Sequence, residues 1–547
     1  MDNSVIDFSD SDFSEFESDD DVPLADLIRN FDDSSDSDGS GSESEDQNND
    51  TWSVNDKTPR PKRPFIGPEP GPTTLLSPDD KEWDFVELFF PVMLIELLVK
   101  QTNLYASQKQ SRKPDPSWRQ VTFVEMKAWL GIRVYMSIIQ LPQTQMYWST
   151  DKTFGNLSIR KVMKRDRFMK ILQYFHVNDR SKMQPRGHPT YDKLFLVRPI
   201  LDEVRKLCLQ NYNAHQNVSV DEAMVKFRGR LSFKQYLPAK PTKYGIKIWV
   251  RADPANGYVN DFQVYTGRDG PAENGLAHRV VTELMNGING RNHIVNMDNY
   301  FSSPMLFQEL ENNGTYARGT VRSNRKGFPH TTLKKKDVKN QGDMKFAQKG
   351  ELVTCIWKDK KEIFTLSTAD NPANIDSSVP RKSRTGDIKE VPAPVTISEY
   401  NNYMNGVDHA DQLRTAYSTF RTSRKWWLYL FWFLWDTAVV NAFIVMKESP
   451  YHKLKTRKGK PKERALIDFR MNVAKQLIAD YTENEKASLA TVNAGHFPSN
   501  GLKRGRCRQC SKRKRRHECF NMCLQCNVHV CVPCFKDWHT DILKNGY

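Results

Sequence analysis

The chain has 547 residues and a formal net charge of +15, a length that suits roughly three or four domains with sizeable cores. Its charge is unevenly spread: residues 1–50 hold 18 Asp/Glu against a single Arg, so the remaining body carries +32. So basic a body calls for a polyanionic partner, nucleic acid first and an anionic membrane surface second. The most apolar run, Trp426–Met446, does not read as a membrane span, because it has Asp436 at its centre, where a bilayer would penalise it by about 3 kcal/mol. That run reads as a buried core helix. No basic start followed by an apolar stretch marks a secretory leader.

Residues 1–80 are poor in apolar side chains and rich in Asp, Glu, Ser and then Pro, which reads as a disordered acidic tail. Its serines lie among acids, a pattern that suits an acid-directed kinase or a merely solvated tail. From 81 to 215 the pattern is helical, with apolar residues at three- and four-residue steps in "WDFVELFFPVMLIELLVKQTNLYA" and "TFVEMKAWLGIRVYMSII". The next block, "LSIRKVMKRDRFMKILQYFHVND", adds a basic face that includes Arg165 and Arg167; phosphate contact and plain solvation both account for it.

Near Asn217 the period changes to that of strands. "NVSVDEAMVKF" is followed by "KYGIKIWVRA" and "GYVNDFQVYTG", joined at a turn over Asp253–Gly257. A helix, "GLAHRVVTELMNGI", precedes the strand "HIVNMD"; a second helix, "SPMLFQELENNG", precedes the strand "TYARGTV". Residues 323–394 read as an insertion, 395–415 as a return to the core and 416–485 as long helices. A linker follows over 486–502, then a Cys-rich end over 503–547.

Three strands, a helix, a strand, a helix and a strand is the order found in the RNase H-like fold, which makes the chain a multidomain α/β protein. On that frame Asp221 lies on the first strand, Asp298 ends the fourth, and Asp408 and Asp411 stand near a later helix start. Such a set suits phosphodiester chemistry, where two divalent ions about 4 Å apart hold the attacking and leaving oxygens. Hard cations such as Mg²⁺ take oxygen ligands. Each aspartate taken alone also fits a turn or helix cap.

"VDEAMVKFRGRLSFKQYLPAKPTKYGIKIW", "MDNYFSSP" and "YNNYMNGVDHADQL" closely resemble the signature blocks of the piggyBac transposase family, and "MKRDRFMKILQYFHVND" and "KLFLVRPILDEV" match the blocks before them. The resemblance implies a nuclear cut-and-paste DNA transposase acting on double-stranded DNA. It excises through hairpins at the element's terminal repeats and integrates at TTAA, as a homodimer. It implies an RNase H-like core flanked by a helical dimerisation and DNA-binding domain. Asp221, Asp298 and Asp408 would be the catalytic ligands of two Mg²⁺ ions, with Mn²⁺ as substitute, and Asp411 would support them. Trp426 falls on a functional tryptophan of the family, although core packing explains it equally well. Asn405 stands where the family has glycine, a change that Asn's tolerance of left-handed backbone accommodates. Beside the first aspartate, Arg228, Arg230, Lys240 and Lys243 are expected to grip DNA phosphates, whereas Lys247 reads as a solubilising residue.

Of nine cysteines, seven crowd into Cys507–Cys534, a clustering that points to metal rather than disulfides. Cys507, Cys510, Cys531 and Cys534 would hold one Zn²⁺ in a cross-brace. Cys523, Cys526 and His539 would hold a second, with an eighth ligand among Cys519, His529 and His517. The run containing Lys512, Arg513, Lys514 and Arg515 would bind DNA or act as an import signal.

Overall fold

In a computed structural model of the chain, the structure describes residues 52–54, 63–74, 76–151, 153–238, 240, 242–267, 275–371, 374, 377–383, 386–456, 459–479, 481, 498–523 and 528–545. In chain order the main helices are α1 (Val92–Gln110), α2 (Phe123–Ile138), α3 (Arg165–Tyr174), α4 (Arg198–Gln210), α5 (Leu276–Met285) and α6 (Pro304–Asn312). They continue as α7 (Val395–Tyr403), α8 (Gly406–Ala416), α9 (Trp427–Glu448), α10 (Leu466–Ile478) and α11 (Val532–Asn545). The strands are β1 (Asn217–Lys226), β2 (Tyr244–Ala252), β3 (Val259–Val264), β4 (Ile294–Met297), β5 (Tyr316–Thr320), β6 (Met344–Lys349), β7 (Leu352–Lys358) and β8 (Glu362–Ser367). Near the C-terminus follow β9 (Pro498–Arg506), β10 (Glu518–Cys523) and β11 (Val528–His529).

The chain divides into two compact units. The first comprises Met1–Phe123, Arg133–Gln140 and Tyr174–Gln476 and is built on one mixed sheet. β1 lies between β2, to which it is antiparallel, and β4, to which it is parallel; β4 pairs in parallel with β5. All four residues of β4 are buried, as expected of a strand covered on both faces. Val218 and Val220 of β1 join Val295, Met297 and residues of α5 and α6 in one apolar cluster. Ser219 and Asp221, by the alternation of the strand, face the opposite way.

The segment expected as an insertion does not form a separate body at its centre. β6, β7 and β8 extend the same sheet, with β8 antiparallel to β5. The N-terminal stretch expected to be disordered to residue 80 is also structured where described. Ser53–Val54 pairs with the outer edge of β6, Phe65 packs edge-on against His293, and Gly71–Pro72 pairs with Tyr212–Asn213. Composition averaged over 80 residues hid these few anchoring side chains.

Proline accounts for one departure from the helical periodicity: Pro91 caps α1 and separates it from the short helix Glu82–Glu87. The helix α9 is buried along Trp427–Met446. Among the described residues it is the one helix long and apolar enough to cross a membrane, and it is enclosed by protein. Asp436 within it accepts hydrogen bonds from Thr419 N (2.9 Å) and Oγ1 (2.6 Å) and from Arg470 Nη1 (3.1 Å). A buried carboxylate so paired is tolerated, whereas an unpaired one is strongly destabilising.

The second unit comprises Val124–Ile132, Leu141–Gln173 and Leu477–Tyr547. Trp129 stacks on Phe168 at 5.5 Å, and Arg167 makes a two-pronged ion pair with Glu125 (2.8 and 2.6 Å) that Tyr481 also joins. At its C-terminal end β9, β10 and β11 form a small antiparallel sheet accompanied by α11.

Candidate functional site

The parallel pairing of β1 with β4 ends on the rung Val220–Met297. One residue further along each strand stand Asp221 and Asp298, on neighbouring strands that run about 4.8 Å apart. Asp298 is not a helix cap, because Ser303 caps α6 by accepting from Leu306 N. Its Oδ1 instead accepts from Tyr300 N (2.9 Å), and its carbonyl accepts from Ser302 Oγ (2.9 Å). The tight turn thereby fixes the carboxylate at the strand end.

Asp408 arrives on α8, in its first turn, and is exposed. Two glycines let that helix approach the sheet. A Cβ on Gly406 would collide with Ser219 Oγ and lie 3.0 Å from Pro254 N. Gly257, at φ +80, turns the β2–β3 connection under the helix, where a Cβ would sit 3.1 Å from the His409 ring. Asn405 caps α8 at φ −87, so its tolerance of left-handed backbone is not what the position uses. Gly406→Val should push α8 off β1, costing about 1–3 kcal/mol and misplacing Asp408. Chemical denaturation and cleavage assays would register both losses, and adding Ser219→Ala to Gly406→Ala should restore part of what Gly406→Ala alone removes.

Lys240 Nζ lies 3.3 Å from Glu222 Oε1 and 3.9 Å from Asp221 Oδ2. Burial would lower its pKa, but the carboxylates of Asp221, Glu222 and Asp408 raise it. Asp221 is pushed up to about 8, first by burial and then by the Glu222 charge. Burial raises Asp298 as well. Lys247 is not a solubilising surface residue: it is 8% exposed, and its ammonium sits 4.4 Å over the Tyr300 ring and 5.4 Å from that of Trp249. Burial lowers its pKa, against the opposing pull of Glu222, Asp298 and Asp221.

A carboxyl raised above its unfolded value favours the fold fully below about pH 4, and that contribution is lost as pH climbs toward 8. Asp221→Asn should therefore melt higher than the parent chain at pH 7–8 in chelator, with the gap closing toward pH 4. A pH series of melting curves reads this directly.

The donor set is all oxygen, held in mid-strand by Asp221, just past a strand end by Asp298 and on one helix by Asp408, with Asp221 raised by burial and then by the Glu222 charge; that chemistry suits a hard divalent cation. The aspartate oxygens are not drawn within 4.8 Å of one another, a criterion that among the described residues only the cysteine cluster meets. Asp411 accepts from Arg414 Nη2 (2.8 Å), whose guanidinium lies over Phe433.

The expected DNA-contact residues divide. Arg228, Arg230, Lys243 and Arg165 are exposed. Arg167 is 7% exposed and committed to Glu125, which removes it from the phosphate-binding set. Trp426 is 5% exposed and packs edge-on against Phe233, so the structure gives it a packing role. Lys512, Arg513, Lys514 and Arg515 are exposed, with Arg513 paired to Asp537 (2.8 Å) and Lys512 over the Trp538 ring.

In the C-terminal module Cys507, Cys510, Cys531 and Cys534 converge, with Sγ–Sγ separations of 3.6 Å (507–531), 3.8 Å (510–531) and 3.5 Å (510–534). Zn–S bonds of about 2.3 Å in a tetrahedron give edges near this length. Burial alone would raise the Cys507 thiol, but the N–H groups of Cys531 and Cys510 donate to its sulfur and bring it to about 7. No second set of three ligands gathers among the described residues, and Cys526 lies outside them. Cys519 packs in the same apolar cluster as Cys507, Cys531 and Cys534, and burial raises its thiol. His539 Nδ1 lies 2.8 Å from Phe535 O; a carbonyl only accepts, so this contact puts the proton on Nδ1 and the lone pair on Nε2.

Sequence reasoning missed Glu222 and misread Lys247. Glu222 directly follows Asp221, so strand alternation predicts it on the other face, yet the Lys240 ammonium reaches both carboxylates. Lys247 carried a signal: a lone cation inside the otherwise apolar "YGIKIWV" run.

Residues 82–443 match the family model described as Transposase IS4. The chain is 27% identical over 485 residues to human PiggyBac transposable element-derived protein 3, covering 84% of this chain and 76% of the relative. It is 27% identical over 403 residues to human PiggyBac transposable element-derived protein 5, covering 70% and 74%. Among solved structures it is similar to the piggyBac transposase synaptic complex with hairpin DNA, with a TM-score of 0.63 and 25% identity over 85% of this chain and 100% of that chain.

Proposed function

Because the chain belongs to the piggyBac-type Transposase IS4 family, we propose that it is a nuclear cut-and-paste DNA transposase. It excises an element through hairpin intermediates at the terminal repeats and inserts it at TTAA, as a homodimer. The observation that supports this reading is that Asp221 and Asp298 each stand one residue past the last parallel rung of neighbouring strands, with the Lys240 ammonium 3.9 Å from Asp221 and within reach of the charges of Asp298 and Asp408. The strand order β3-β2-β1-β4-β5, with two parallel pairings, supports an RNase H-like core.

Asp221, Asp298 and Asp408 would hold two Mg²⁺ ions, or Mn²⁺ in their place, which when bound polarise the attacked phosphodiester and neutralise charge building on the leaving oxygen. The chain's own residues do the rest. The turn at Tyr300–Ser302 fixes the Asp298 carboxylate, and Gly406 and Gly257 let α8, which carries Asp408, lie against β1 at Ser219. Asp411, tied to Arg414, anchors the same helix. Arg228, Arg230 and Lys243, exposed beside the strand that carries Asp221, bind phosphates on either side of the scissile position. The C-terminal module, held by zinc, binds the element's end sequence.

The human relatives are named as proteins derived from transposable elements, which favours a second reading: a domesticated DNA- or chromatin-binding protein that no longer transposes. Retention of all three aspartates supports the enzyme. The test is excision of a TTAA-flanked donor bearing the repeats that border the gene. Excision that restores one TTAA is expected. Binding to those ends without excision, in the presence of Mg²⁺, would favour the domesticated reading.

A further inference from the structure

We propose that Lys240 is a displaceable counter-cation of the aspartate cluster, expelled from Asp221 and Glu222 when divalent ions bind and thereby released to grip a DNA phosphate. The proposal rests on the metal-site reading given above. Four carboxylates, from Asp221, Glu222, Asp298 and Asp408, act on two lysines, Lys240 and Lys247. The two lysines are held differently. Lys247 comes from the middle of a central strand and is boxed by the rings of Trp249 and Tyr300, so it is a fixed charge. Lys240 projects from the loop between Gln235–Tyr236 and Tyr244, closed by a Leu237 N to Lys243 O bond of 2.8 Å, and its side chain is 32% exposed.

The Lys240 ammonium lies 3.9 Å from Asp221 Oδ2 and 3.3 Å from Glu222 Oε1, beside an oxygen that a divalent ion would take as ligand. A doubly charged ion at that position offsets the carboxylates more completely and repels the ammonium, which the flexible four-carbon stem can carry outward. Arg228, Arg230 and Lys243 are exposed nearby in sequence, so an outward ammonium adds to an existing phosphate-binding surface. Metal and DNA would then tighten each other's binding, as linkage requires. Such coupling keeps the cluster neutralised before DNA arrives.

The experiment titrates Mn²⁺ into the zinc-loaded full chain, following free Mn²⁺ by electron paramagnetic resonance, for the parent, Lys240→Met and Lys240→Arg, each with and without Asp221→Asn. Without DNA, Lys240→Met should bind Asp221-dependent Mn²⁺ about tenfold more tightly, and Lys240→Arg should stay near the parent. With Ca²⁺ present, Lys240→Met should reduce the salt dependence of duplex binding by about one phosphate contact, with no difference in chelator. Equal or weaker Mn²⁺ binding by Lys240→Met, with Asp221-dependent binding intact, would overturn the role of Lys240 and leave the metal site standing. So would a salt-slope difference that is the same with and without Ca²⁺. Absence of Asp221-dependent Mn²⁺ binding in every protein would overturn both.

Discussion

Asp221→Asn, Asp298→Asn and Asp408→Asn should each abolish strand cleavage, by on the order of 10³-fold or more, while leaving DNA affinity within a few-fold of the parent. The asymmetry follows from geometry. Each carboxylate comes from a different element, so no neighbour replaces it, yet none belongs to the exposed basic surface of Arg228, Arg230 and Lys243. Asparagine keeps the shape and removes the charge, so the Tyr300 N–H to Asp298 contact survives through the amide oxygen. Nicking assays on end-bearing oligonucleotides, run beside fluorescence anisotropy, separate the two effects. Retained nicking by any one variant would remove that aspartate from the site. Asp411→Asn should be milder, since its carboxylate is engaged by Arg414 on the same helix.

Cys531→Ser should unfold the C-terminal module and cost at least tenfold in affinity for the element ends. Cys531 Sγ lies 3.6 Å from Cys507 and 3.8 Å from Cys510, so it is central to the cluster. The apolar core around it is small, comprising Val530 and Trp538 with the cysteines themselves and the partly buried Val528 and Phe535. A module with so little to bury would depend for folding on a metal held by the four cysteines. Zinc content should fall, and near-ultraviolet circular dichroism from Trp538 should collapse, while hairpin chemistry on supplied oligonucleotides persists. End-specific binding that survives unchanged would give the module a different task.

How much of this was legible in the sequence depended on what each residue's signal was made of. The succession of strands and helices from β1 to β5 along the chain could be read because apolar period and turn chemistry are local. Asp298 could be singled out because a carboxylate closes an apolar strand. The extension of the sheet by β6–β8 could not be read, because pairing of β8 with β5 is a long-range choice between edges that composition does not record. Arg167 looked like one more cation on a basic face; only the fold reveals Glu125 opposite it, 42 residues earlier. Lys247 looked like a surface cation, and Trp426 was balanced between a functional role and core packing; the burial of both side chains depends on partners distant in the chain. The glycines at 257 and 406 matter through what a Cβ would strike, and the partners they spare are distant in the chain.

The most direct measurement is anomalous diffraction from crystals of the chain soaked in Mn²⁺. The account predicts manganese peaks bounded by the carboxylates of Asp221, Asp298 and Asp408, with Lys240 Nζ withdrawn from its present 3.9 Å approach to Asp221. Manganese bound elsewhere, with those three side chains directed into separate surroundings, would contradict it.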